Sequence, residues 1–183
     1  MSALTRRTAE TRVRVVLRTT SPEPVPPRVA TGEPFLDHML VTLARYSGVQ
    51  LEVHATGDLR HHVIEDVAIT VGMALRRETP GACARYGTAT VPMDEALVQA
   101  ALDLGGRFYY KGRLPSGLYE HFLRSFAEHA GLTLHVRVLR GGQRHHVVEA
   151  AVKAVGLALR QALAPGEGVF STKGAVEVAW EDE

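Results

Sequence analysis

The chain has 183 residues, a net charge of +1, and 45% hydrophobic against 22% charged residues, the composition of one soluble domain with a real core. Near-neutral charge excludes the basic footprint of a nucleic-acid or anionic-membrane binder, so neither partner is expected. The single Cys83 excludes an intrachain disulfide framework, and neither a signal-peptide core nor an apolar run of roughly 18 residues can be read, so the expected address is the cytoplasm.

In chain order, Val13, Val15 and Leu17 alternate with Arg12, Arg14, Val16 and Arg18, the pattern of a half-buried strand. The Pro-rich run Ser21 to Pro27 breaks it. Leu36, Leu40 and Leu43 predict a helix from Phe35 to Tyr46, stopped near Gly48 and followed by a strand over Val49 to Val53. A second helix is predicted from about His61 to Arg77, ended by Thr79-Pro80-Gly81. Strands follow at Tyr86 to Val91, Leu97 to Leu104 and Arg107 to Tyr110. The plan then recurs: a helix from about Leu118 to Ala130, a strand from Leu132 to Leu139 and a turn at Gly141-Gly142. A helix from His146 to Leu163 and a last strand near Val176 to Trp180 complete it. The expected class is α+β, a duplication with repeats of about 1–92 and 93–183 and helices stacked on one face of the strands.

The duplication is visible residue by residue. Nine of the seventeen positions from His61 to Arg77 are identical to His145 to Gln161, among them both His, Val63, Glu65, Gly72 and Arg76. A second stretch beginning at His38 repeats at His121, with Leu40, Ala44, Gly48, Leu51 and Val53 matched by Leu123, Ala127, Gly131, Leu134 and Val136. The polar residues surviving both comparisons are three His and one Glu per half. Packing has no use for paired His at matched places, so the set points to two related metal sites. The other three imidazoles, His54, His129 and His135, read as structural.

On a helix, residues four apart share a face while adjacent residues diverge by about 100°. His61 and Glu65 can therefore serve one ion and His62 another, and likewise His145 with Glu149 and His146. Symmetry then pairs the halves crosswise. One site would hold His38, His62, His145 and Glu149, and its twin His121, His146, His61 and Glu65, the pairing being met either within one subunit or between subunits. Imidazole and carboxylate without thiolate suit manganese, iron or zinc, and six-coordination tilts the choice towards manganese.

Several ordered motifs carry a family resemblance. They are Phe35-Leu36-Asp37-His38-Met39-Leu40, the two His-His-x-x-Glu helices, Pro92-Met93-Asp94-Glu95-Ala96-Leu97, Gly106-Arg107, Glu120-His121-Phe122 and Ser171-Thr172-Lys173-Gly174. At these residues the chain resembles imidazoleglycerol-phosphate dehydratase, an enzyme family of histidine biosynthesis. The resemblance implies a duplicated βαβ unit of the ribosomal S5 domain 2-like kind, with a four-helix layer between two sheets. It also implies the same crosswise ligand sets, two manganese ions per subunit and a homo-24-mer with metal sites at subunit contacts. The substrate it implies is a small imidazole phosphate, imidazole glycerol phosphate, dehydrated to imidazole-acetol phosphate. Arg85, Arg107 and Lys173 would clamp the phosphate beside Ser171 and Thr172. Glu65 and Glu149 would act through the metals, and Glu10 is the candidate substrate contact and proton carrier, ahead of Asp94, Glu95 and Asp37.

The departures are local. Only Asp58-Leu59-Arg60 precedes the first His pair, where relatives carry a longer acidic loop. Val63 replaces a usual Thr, Thr42 a phosphate-contacting Gln, and Gln143 an Asn. Two rival functions share the ligands: a dinuclear phosphate-ester hydrolase, and a metal-binding assembly protein without chemistry. One carboxylate per site, rather than a bridging one, argues against the first. The unexplained basic clamp argues against the second.

Overall fold

The computed structural model describes residues 3–19, 25–105 and 107–166. The expected last strand near Val176 to Trp180 and most of the Pro-rich run lie outside them. The first repeat runs β1 (Leu4–Arg7), β2 (Thr11–Arg18), β3 (Arg28–Ala30), α1 (Pro34–Ser47), β4 (Gln50–Gly57) and α2 (Arg60–Glu78). The second runs β5 (Tyr86–Met93), β6 (Ala96–Asp103), β7 (Tyr109–Gly112), α3 (Gly117–Ala130), β8 (Thr133–Arg140) and α4 (Arg144–Ala162). Each builds a four-stranded sheet of the same topology, β1-β2-β4-β3 and β5-β6-β8-β7. In both, the third strand lies parallel to the fourth across a helical crossover, with Val29 opposite Val53 and Tyr110 opposite Leu134.

Strand alternation gives each sheet one apolar face. Val13, Val15 and Leu17 are buried on β2, and Val98, Ala100 and Leu102 on β6. The helices cover these faces: α2 packs on β2, and α4 on β5 and β6. The two layers join crosswise, α1 against α4 and α2 against α3, so the four helices lie between the two sheets. Phe122, Phe126, Leu36 and Leu40 fill the junction and are fully buried.

The repeated Gly72 and Gly156 have a packing explanation. A Cβ on Gly72 would sit 2.6 Å from the Phe126 carbonyl oxygen of α3, and one on Gly156 would sit 2.7 Å from Tyr46 Cβ of α1. Glycine thus lets each long helix approach its short neighbour. The shorter helices stop at left-handed glycines, Gly48 with φ 78° and Gly131 with φ 67°, whose N–H groups bond back to Ala44 and Ala127.

Candidate metal centres

The crosswise helix packing brings His38 of α1 to His145 and Glu149 of α4. Glu149 Oε2 lies 3.2 Å from His38 Nε2 and 3.0 Å from His145 Nε2. The three donor atoms lie within 4.8 Å of one another. For metal–ligand bonds of roughly 2.0–2.2 Å, neighbouring donors of a six-coordinate ion stand about 3 Å apart, so the donor set fits a divalent ion. The other carboxylate oxygen of Glu149 pairs with Lys153 Nζ at 2.8 Å, one helical turn along. Burial works to raise the Glu149 carboxyl. Lys153, His38 and His145 outweigh it and hold the group down to about 2.

The twin cluster is looser. Glu65 of α2 and His121 of α3 meet at 3.3 Å, with the Glu65 side chain 43% exposed against 9% for Glu149. The place of Lys153 is taken by Ile69, four residues after Glu65. His61 lies against His62, ring centroids 4.1 Å apart.

His62 and His146, the second members of the pairs, are not delivered to these clusters. His62 Nδ1 is 2.8 Å from Asp58 Oδ1 and 3.6 Å from Glu10 Oε2. His146 Nδ1 is 3.0 Å from Glu95 Oε2, and its Nε2 is 3.6 Å from Asp94 Oδ2. The 100° divergence of helical neighbours is the reason. Asp58 raises the His62 pKa, aided by Glu10, and Glu95 raises that of His146. Glu95 accepts the Gln143 N–H at the start of α4 and is held at about 2 by that bond first and by His146 second. An acceptor on Nδ1 leaves Nε2 as the free lone pair, the tautomer a metal ligand needs. Glu10 and Glu95 occupy matched hairpin tips, between β1 and β2 and between β5 and β6.

Asp37, a weaker proton-carrier candidate, accepts bonds from the Thr31 N–H and, at 2.6 Å, its hydroxyl, and so ties β3 to α1. Val63 and Thr42 are buried and Gln143 is exposed. Arg85 forks onto Asp103 and sits at the far end of α4, its N–H bonding to the Ala162 carbonyl. From His145 to Ala162 the helix rises about 26 Å. Arg107 lies at that same far end, exposed, its carbonyl bonded to Thr133 at 2.9 Å. The structure therefore does not bring the two arginines to the metal ligands of their own chain. Ser171, Thr172 and Lys173 lie outside the described residues. Sequence reasoning missed Lys153, although a cation four residues after Glu149 on the same helix face was the available signal.

Residues 31–159 match the profile of the family described as imidazoleglycerol-phosphate dehydratase. The chain belongs to the imidazoleglycerol-phosphate dehydratase family. Relatives of that name include one from an Anaeromyxobacter strain, 48% identical over 92% of this chain and 90% of its own length. Another, from Pyrobaculum aerophilum, is 48% identical over 93% and 97%. Among solved structures, the Pyrococcus furiosus dehydratase superposes with a TM-score of 0.82 at 36% identity, covering 94% of this chain and all of that one. The Staphylococcus aureus dehydratase gives 0.76 at 32%, covering 90% and 99%. The duplicated fold with its helix layer is thus the family's fold.

Proposed function

We propose that the chain is a hydro-lyase that converts imidazole glycerol phosphate to imidazole-acetol phosphate and water in histidine biosynthesis, using two manganese ions per subunit. Membership of the dehydratase family supports the reaction. The convergence of His38, His145 and Glu149 on one point supports the metal dependence. When bound, the ions would supply positive charge at the substrate ring, which draws off the ring proton and acidifies the neighbouring C–H.

The chain's residues do the rest. His38, His145 and Glu149 would hold one ion and His121, His61 and Glu65 the other, with His62 and His146 reaching out to complete the sites of neighbouring copies. The outward rings, and the placing of Arg85 at the end of α4 opposite His145, a helix rise of about 26 Å, favour sites shared between subunits, as in a homo-24-mer. Arg85 and Arg107 of one copy, with Lys173, Ser171 and Thr172, would then clamp the phosphate over the metals of another. Glu10, exposed at a hairpin tip 3.6 Å from His62, would carry the proton. The cytoplasm is the proposed setting.

The test is to incubate manganese-loaded protein with imidazole glycerol phosphate and follow ketone and free phosphate together. Ketone without phosphate is expected, lost on chelation. Phosphate release without ketone would replace the lyase by a hydrolase. Light scattering before and after chelation tests the assembly, and an unchanged mass would rule out ions as its links.

A further inference from the structure

Asp66 follows Glu65 on α2, is buried, and gathers the β1–β2 hairpin around its carboxylate. Its Oδ2 lies 2.6 Å from Arg6 Nη1 of β1, accepts the Thr11 hydroxyl of β2, and has the Thr8 hydroxyl at 3.5 Å. Thr8 Oγ1 in turn accepts the Glu10 N–H at 3.2 Å and the Thr11 N–H at 2.9 Å. From the other side, the Glu10 carbonyl accepts the Asp58 N–H at 3.1 Å, and Asp58 is the residue that meets His62. Glycine at position 57 makes room for this approach, since a Cβ there would sit 2.9 Å from Thr11 Cγ2 and 3.2 Å from the Glu10 carbonyl oxygen. The hairpin tip is thus held by its backbone, while the Glu10 side chain stays 53% exposed.

The second repeat shows that folding does not require this network. Strand register places Val91 where the first repeat has Arg6 and Ala96 where it has Thr11, and the helix repeat places Ala150 where it has Asp66. All three are buried. A partly buried ion pair contributes little over well-packed apolar side chains, so stability alone gives no reason for the polar trio. The tips differ in the matching way. Glu95 commits its carboxylate to the Gln143 N–H and His146, whereas the Glu10 carboxylate makes no hydrogen bond among the described residues.

We infer that Asp66 is a positioning residue for the reaction: with Arg6 and Thr11 it fixes the β1–β2 hairpin on α2, so that the Glu10 carboxylate is free of structural duty and faces the substrate beside His62. The inference rests on the proposed role of Glu10.

Hydrogen exchange of the full chain, followed by mass spectrometry, tests the positioning without turnover. Asp66→Asn should speed exchange at the Glu10, Thr11 and Asp58 amides about tenfold or more and leave the tip at Asp94 and Glu95 at the parent rate. No change at the first tip, or equal speeding at both, overturns the proposal. Kinetics of the manganese-loaded protein then tie the network to Glu10. Glu10→Gln should lower kcat about a hundredfold. Asp66→Asn should lower it about tenfold at unchanged manganese content. The double variant should be no slower than Glu10→Gln, because a residue that acts only through Glu10 then has nothing to act on. Thr11→Val should lose part of the rate, and Thr11→Ser should restore it. Losses that multiply, parent kcat in Asp66→Asn, or loss of manganese from it overturn the positioning role and leave Glu10 in place. Parent kcat in Glu10→Gln overturns the role of Glu10 and this inference with it. If Asp66→Asn does not fold, the triple variant Arg6→Val, Thr11→Ala, Asp66→Ala, which copies the second repeat, carries the same expectations.

Discussion

The two halves share topology, glycine contacts and a His-His-x-x-Glu helix, yet their ligand clusters differ in stiffness. Glu149 is buried, with Lys153 on one oxygen and two imidazoles on the other. Glu65 is 43% exposed, meets one imidazole, and has Ile69 where its twin has the lysine. The candidate ligands match between the copies, while only one copy has a cation that holds its carboxylate in place. The first cluster is thus organised without an ion, whereas the second would need one to organise it.

The strongest way to break this comparison is to neutralise each carboxylate in turn. Glu149→Gln and Glu65→Gln should each lose one ion per chain by elemental analysis, with activity falling in both. Only Glu149→Gln should also destabilise the metal-free fold, by about 2 kcal/mol, because Lys153 is left half-buried without its partner. Urea melts giving the same midpoint for both variants would show that the clusters are equally loose.

Matched packing is tested next. Gly72→Ala and Gly156→Ala should each cost about 1–3 kcal/mol, since the added methyl group would clash with a facing helix. Gly72→Ala should be the worse, because backbone of α3 blocks it from two sides, Phe126 O at 2.6 Å and Ala130 N at 3.0 Å. A negligible change in thermal midpoint for either would mean that the helix layer adjusts freely.

Acid stability sharpens the contrast further. The Glu149 carboxyl is depressed from its ordinary 4.5 to about 2. A depressed carboxyl contributes stability that is present above 4.5 and is lost as pH falls towards 2. Metal-free protein should therefore lose stability across that window. Lys153→Met should flatten this acid limb, and Glu65→Gln should leave it intact. An acid limb identical in Lys153→Met would remove the lysine from the account.

Much of this was legible in the sequence, and the reasons are physical. All four helices lie within about two residues of expectation because glycines, Thr79-Pro80 and apolar periodicity marked them. His38, His145 and Glu149 meet, but without His62, the fourth member of the expected set. β1 and β3 were not foreseen. Leu4–Arg7 offers a single apolar residue, and Arg28–Ala30 is three residues long after a Pro-rich run, too short for alternation to register. Spacing turns His62 and His146 away from their helix's Glu but does not reveal what receives them, because Asp58, Glu10 and Glu95 arrive from loops and hairpin tips. That Arg85 sits at the opposite end of α4 from His145 likewise emerges only when α4 is laid against β5.

The smallest expected effect concerns those outward rings. Both imidazoles have a carboxylate at Nδ1, a second carboxylate at 3.6 Å, and a pKa above the ordinary value. His146 relies on Glu95 alone at Nδ1, whereas His62 has Asp58 at 2.8 Å and Glu10 behind it at 3.6 Å. Glu95→Gln leaves His146 with Asp94 at Nε2, and Asp58→Asn leaves His62 with Glu10 at Nδ1, each at 3.6 Å, so the two titration midpoints should fall by similar amounts. Imidazole NMR titrations of metal-free Glu95→Gln and Asp58→Asn give the two midpoints directly. The double variants Glu10→Gln with Asp58→Asn and Asp94→Asn with Glu95→Gln should lower both midpoints further. If Glu10→Gln adds nothing to Asp58→Asn, the matched hairpin tips do not do matched jobs, and Glu10 is left free for the substrate alone.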